Sequence, residues 1–151
     1  MGADLYIKDM DRKSQYTGFE VSERAVNLGY FRDCYNRWGL FALMSATLNR
    51  EDISWWLTTD KKEFFRVDDE DGLIMTVEGV KKWGEEITPL LNQFIESSKV
   101  YSSNYNYKTG KRRRVKVRKV EDIEDIKSHA KLLLNFINLA IQEKSEIIWS
   151  V

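Results

Sequence analysis

Residues 101–120, YSSNYNYKTGKRRRVKVRKV, gather eight basic side chains and no carboxylate within a chain whose formal net charge is zero. The rest is acidic by contrast: residues 1–100 carry 13 basic and 18 acidic side chains, and residues 121–151 carry three and six. Any electrostatic function is therefore local. Gly110 suits the left-handed position of a three-residue hairpin loop, Thr109 to Lys111, which sets Lys108 opposite Arg112 and Tyr105 opposite Val115. That register sorts Tyr105, Tyr107, Val115 and Val117 onto one face. The other receives Asn104, Asn106, Lys108, Arg112, Arg114, Lys116 and Arg118. Lys108, Lys111, Arg112, Arg113, Arg114, Lys116 and Arg118, with Tyr105 and Tyr107, are the candidate binding residues. Their chemistry is that of a polyanion contact: cations displace counterions from phosphates, a two-stranded ribbon fits a DNA major groove, and tyrosines stack on unpaired bases. An acidic protein surface and a solvated hairpin that merely balances the acidic remainder are the alternatives.

Other residue types give weaker constellations. Val67 to Glu78, VDDEDGLIMTVE, matches an EF-hand loop at Asp69, Asp71, Gly72, Ile74 and Glu78, but Val67 stands where the first carboxylate ligand belongs. A turn leading to a Thr76 helix cap explains the same residues, and no metal site is assigned. Cys34 and His129 are single residues of their types, too few for a zinc cluster. Cys34 falls on an apolar stripe, which suits a small buried hydrophobe better than a nucleophile. No G-x-S-x-G, H-E-x-x-H or phosphate-binding glycine loop is present, so no catalytic residue and no cofactor are assigned. Arg32 and Asn36, one helical turn apart beside Tyr30, Asp33 and Arg37, form a second candidate surface of residue types favoured at interfaces.

Three longer helices are expected to position these groups. The first covers 29–48, where Phe31, Cys34, Trp38, Phe41 and Leu48 recur at helical intervals and Asp33 and Arg37 are spaced for an ion pair. The second covers 76–98, with Thr76 as its cap, Val80, Trp83, Ile87, Leu91 and Phe94 on one face, and a kink at Pro89. The third covers 121–144, with an acidic first turn and a stripe from Ile123 to Ile141. Ser22 is placed as the cap of a short helical turn, and Ile53, Trp56 and Leu57 in another. ADLYIK at 3–8 and EIIWSV at 146–151 alternate as short strands and are natural partners of each other. The expectation is one α+β domain over 1–151, mainly α, with a small sheet joining the two terminal strands. The basic hairpin, an insertion at 101–120, should project between the last two helices.

A hydrophobic content of 42% and a single proline fit a globular chain rather than a disordered or turn-dense all-β one. One cysteine fits a reducing compartment. The absence of an apolar run long enough for a signal peptide or a membrane helix points to a cytoplasmic protein with no membrane partner. Oligomeric state is left open.

MGADLYI at the start, GYFRDCYN followed by ISWW, and a C-terminal amphipathic helix running into EIIWSV resemble a family of small bacterial and phage proteins of uncharacterised function. The resemblance covers most of the chain in order, with 101–120 as an elaboration outside it. It implies a cytosolic helical protein and carries over no catalytic residue. Compact cofactor-free proteins of that origin often bind a host factor stoichiometrically. The leading expectation is therefore a non-enzymatic binder or inhibitor of a host protein, acting through the basic hairpin and the Arg32–Asn36 face. The alternative is a nucleic-acid-binding protein that contacts the phosphate backbone through 101–120.

Overall fold

The computed structural model describes residues 2–8, 10, 22–34, 37–50, 53, 62–70 and 72–150; Asn36, Trp56 and Leu57 lie outside them. The strands are β1 Gly2–Ile7, β2 Tyr30–Cys34, β3 Phe65–Asp68, β4 Gly72–Met75, β5 Tyr101–Asn106, β6 Lys111–Lys116 and β7 Ile147–Ser150. The helices are α1 Glu23–Asn27, α2 Leu40–Leu48, α3 Val77–Glu96 and α4 Val120–Gln142. Five strands make one antiparallel sheet in the order β2-β1-β7-β4-β3, while β5 and β6 form a separate ribbon. The expectation of a mainly helical protein with three long helices is thereby overturned: strands take 28% of the described chain, and only α3 and α4 are long.

The chief correction falls on residues 29–48. Gly29 sits at φ +86°, and the chain enters β2 rather than a helix. Leu5 pairs with Phe31 and Asp4 with Arg32, so Phe31 and Asp33 face the helices while Tyr30 and Arg32 face the other way. Tyr30 and Phe31 are both buried, because the sheet is covered on both faces here. Burial on both faces erases the alternation that marks a half-exposed strand. The helix begins only at Leu40, after Gly39, and ends at Asn49 in the left-handed conformation that terminates many helices.

The terminal strands do pair, with Leu5 opposite Trp149 and Tyr6 opposite Ile148, but at the centre of the five-stranded sheet rather than as a small sheet of their own. Of the acidic stretch at 67–78, the described residues form the end of β3, the turn after it, β4 and the start of α3, and Val67 is exposed. Gly72, at φ +82°, opens β4. Among the described residues no group of three or more potential ligands could hold a metal ion, and no helix is long and apolar enough to cross a membrane.

One face of the sheet meets α3 and α4. Leu5, Ile7, Phe31, Met75, Ile147 and Trp149 join Trp83, Phe94, Leu133 and Phe136 in a single buried cluster. The Trp83 and Trp149 rings meet edge to face at 5.3 Å. Thr76 caps α3 by accepting the Gly79 amide at 3.1 Å, and the helix runs through Pro89 to Glu96. Two of its glycines let neighbours approach. A Cβ on Gly79 would lie 2.6 Å from the Phe64 carbonyl oxygen, and one on Gly84 would lie 2.7 Å from the tip of Ile141.

These contacts differ in softness, because a backbone oxygen cannot rotate away whereas a terminal methyl can. Gly79→Ala should therefore destabilise by about 1–2 kcal/mol, the strain outweighing the roughly 1 kcal/mol gain in helix propensity. Gly84→Ala should stay within about 1 kcal/mol of the parent in urea unfolding. Equal effects would contradict the tight α3 contact at Phe64.

Candidate functional site

The basic segment is a two-stranded ribbon with a longer loop and a different register from the expected one. Tyr105 pairs with Arg112 and Asn106 with Lys111, leaving Tyr107–Gly110 as a four-residue loop. The Asn106 side chain closes it, accepting the Lys108 and Thr109 amides at 2.9 and 3.4 Å. Gly110, at φ +68°, donates its amide to the Asn106 carbonyl at 2.8 Å. The partner of Arg112 thus moves from Lys108 to Tyr105, an odd shift that exchanges the faces. Tyr101, Ser103 and Tyr105 now share a face with Arg112, Arg114 and Lys116, while Asn104 and Asn106 share the other with Lys111, Arg113 and Val115. The expected register would have set two cations, Lys108 and Arg112, directly opposite. In the observed one every cation of β6 lies across from a neutral residue of β5, which avoids cross-strand repulsion.

The ribbon is fixed at its base. Val100 and Val117 are buried and joined by a 2.8 Å backbone hydrogen bond. Next to them the Tyr101 amide donates to Thr47 Oγ1 at 2.9 Å, and the same hydroxyl donates to the Tyr101 carbonyl at 3.3 Å. A threonine on α2 thus serves the backbone groups that a further strand would otherwise take. Arg114 completes the joint. Its guanidinium lies 4.2 Å from the Tyr101 ring centre and donates to the Ala46 and Thr47 carbonyls at 2.8 and 3.3 Å.

Those carbonyls belong to the last turn of α2, so Arg114 supplies the positive charge that a helix C-terminus favours. The opposite end of α2 is held in the same manner. Gly39 offers no side-chain cap, and the buried Asp33 of β2 accepts the Leu40 and Phe41 amides at 2.7 and 3.3 Å. Burial raises the Asp33 carboxyl above the ordinary aspartate range, opposed by the Leu40 amide, by His129, and by the Cys34 and Phe41 amides.

Beyond this joint the ribbon is open to solvent. Lys108, Lys111, Arg112, Arg113, Lys116 and Arg118 are exposed, Tyr105 is 42% exposed and Tyr107 is 90% exposed. The Arg112 guanidinium lies 5.6 Å from the Tyr105 ring, and Tyr105 and Tyr107 meet edge to face at 4.9 Å. Elsewhere cations find carboxylates: Arg32 bonds Asp4 at 2.9 Å, and Arg66 bonds Glu146 at 2.8 Å and Asp68 at 3.3 Å. Among the described residues no cation of the ribbon does. Of the expected site residues, then, Lys108, Lys111, Arg112, Arg113, Tyr105 and Tyr107 come together at the free end. Lys116 and Arg118 lie towards the base, and Arg114 is committed to α2.

Arg32 is not on a helix, and Asn36, expected to share its face, lies outside the described residues. Arg32 stands on β2 across from Asp4, whose carboxylate also accepts the Tyr30 hydroxyl at 2.6 Å. Burial and the Asp4 contact push the Tyr30 phenol up to about 12, against the pull of Arg32. Cys34 is half-buried at the end of β2, on the face of Tyr30 and Arg32 rather than on an apolar helix stripe. His129 stacks on Phe31 with ring centres 4.9 Å apart, and its Nε2 lies 2.8 Å from the Arg32 carbonyl. The residues of the joint missed at sequence level are Thr47 and Tyr101, and Asp33 was given a surface ion pair instead of its place at the start of α2. The signal for Tyr101 was its two-residue spacing to Ser103 and Tyr105; nothing marked Thr47.

Comparison of the chain with protein-family models, with curated proteins and with solved structures gives no match in any of the three.

Two consequences of the joint are measurable. Arg114→Ala removes two carbonyl hydrogen bonds and the Tyr101 stack, for an expected loss of about 1–2 kcal/mol. Amide exchange should quicken across β5 and β6 while α3 and α4 stay protected; unchanged exchange in the ribbon would contradict the anchoring role. For Asp33, a raised folded-state pKa means that the carboxyl holds its proton more tightly folded than unfolded. Its contribution to stability is full below the unfolded-state value and is lost as pH rises through the folded one. Urea unfolding from about pH 4 upward should show the parent losing stability relative to Asp33→Asn, which does not titrate. Parallel pH profiles would contradict it.

Proposed function

We propose that this protein binds nucleic acid, with the β5–β6 ribbon contacting the phosphate backbone. The observation that carries the reading is the free end itself: Lys108, Lys111, Arg112 and Arg113 are exposed, carry no ion pair among the described residues, and share a short, preorganised ribbon with two exposed tyrosines. A cluster of cations that no carboxylate of the described chain neutralises repels itself, and a polyanion relieves that repulsion while releasing its own counterions. The Asn106 and Gly110 turn and the Arg114 joint hold the cluster in one shape, so that little ordering remains to be done on binding. The reading as a binder of a host protein keeps only the ribbon for support, because Arg32 lies on a strand against Asp4. A cytoplasmic setting suits the proposal and the single cysteine, Cys34.

Fluorescence anisotropy with labelled mixed-sequence DNA and RNA, from low to near-physiological salt, tests it. Four phosphate contacts on a single strand would give a log–log salt slope of about −3. The triple variant Lys111→Glu, Arg112→Glu, Arg113→Glu should abolish binding at every salt concentration; Arg114 is left intact because reversing it would undock the ribbon. Absence of binding at low salt, or binding indifferent to the triple variant, would overturn the proposal.

A further inference from the structure

Resting on that reading, we infer that the ribbon is built for unpaired rather than paired nucleic acid, and that Tyr107 is its stacking residue. The two faces of the ribbon divide into different chemistries. One runs outward from the α2 joint as a ladder: the Tyr101–Arg114 rung is closed against Ala46 and Thr47, the Tyr105–Arg112 rung is open, and Tyr107 stands at the tip. The other face presents Lys111 and Arg113 with the amides Asn104 and Asn106 and lacks an aromatic residue.

Tyr107 is 90% exposed, the most exposed large apolar side chain of the described chain, yet it is held in place. It occupies the first loop position after Asn106, whose side chain accepts the next two amides, and its ring meets Tyr105 edge to face. Tyr105 is in turn backed by Arg112 at 5.6 Å. A planar ring whose surroundings are fixed and whose surface is open matches the face of a nucleobase, and stacking accepts any base because each has a π-face. In a duplex those faces are covered by neighbouring pairs, and only phosphates and groove edges remain. The cations then supply affinity for either form, whereas Tyr107 adds to it only where a base is free.

The charge pattern also argues against full groove insertion. A ribbon read in a major groove presents one face along its length to base edges. Here the base of the ribbon is held by α2 through Tyr101, Thr47 and Arg114, so that residues 104–113 are the part standing clear of that joint. A tip that carries its most exposed ring next to Lys108 suits a backbone turning past it with a base laid on the ring.

The test compares a short mixed-sequence oligonucleotide with its own blunt duplex, titrated against the parent chain, Tyr107→Ala, Tyr107→Phe, and the pair Lys111→Glu, Arg113→Glu. Tyr107 is so exposed that its replacement should leave the circular dichroism spectrum unchanged. The single strand should bind the parent more tightly. Tyr107→Ala should lose about tenfold or more for the single strand, the range produced by losing one base stack, and little for the duplex. Tyr107→Phe should restore the single-strand affinity, since the ring and not the hydroxyl does the stacking, and the charge pair should weaken both ligands. Equal affinity for the two forms with Tyr107→Ala unchanged would overturn this inference and leave the phosphate-contact reading standing. Binding of neither form at low salt would overturn both.

Discussion

The arrangement depends on a nine-residue helix whose ends are both completed by side chains from elsewhere in the chain. Helix α2 has no acidic residue in its first turn, no basic residue in its last, and no side-chain N-cap of its own. A helix of that length is marginal in isolation, because nucleation is costly and few bonds repay it. Asp33 supplies a buried carboxyl that accepts two amides at one end, and Arg114 a guanidinium that donates to two carbonyls at the other, where the helix dipole favours positive charge. The two side chains come from different units, since Asp33 belongs to the five-stranded sheet and Arg114 to the separate ribbon. The helix is therefore the coupling between them, and the ribbon's free end is presented from a fixed base.

That coupling explains why the basic residues of 101–120 are not equivalent. Arg114 looks like its neighbours in sequence, within the run Lys111 to Arg114, yet it is spent on two carbonyls and an aromatic ring. Arg112, two residues away on the same face, has only Tyr105 beneath it and remains open. Arg113, on the opposite face, lies across from Asn104. One cation fixes the ribbon while Lys108, Lys111, Arg112 and Arg113 remain exposed beyond it. Tyrosine divides in the same way: Tyr101 is the seat of the anchor, Tyr105 the support and Tyr107 the exposed end.

Local signals were legible where a single principle governed them. Thr76 and Ser22 cap α3 and α1 through the amides three residues on, as their positions before apolar periodic segments suggested. The long stripes of α3 and α4 and the hairpin at Gly110 were visible for the same reason. Sequence reading failed where tertiary context decided. Tyr30 and Phe31 are buried on opposite faces and Arg32 and Cys34 are half-buried, so the strand gave no clear alternation and matched a helical stripe by accident of its aromatics. The ribbon's register turned on Asn106, whose side chain closes the loop two residues before Lys108, the closing position that Gly110 alone implied. Asp33 was read as a partner for Arg37 on a helix surface, whereas its carboxyl lies inside the protein at the start of α2. Thr47 and Arg114 meet across 67 positions of sequence, a proximity that no local pattern encodes.

The measurement that bears most directly on this account is a nitrogen–proton correlation spectrum of the labelled protein, titrated with a short single-stranded oligonucleotide. The account expects the largest shifts at 104–113, led by Tyr107 and its neighbours, with smaller ones at Thr47 and Arg114 and none around Asp4 and Arg32. Shifts centred on Asp4 and Arg32, or no shifts at saturating oligonucleotide and low salt, would contradict it.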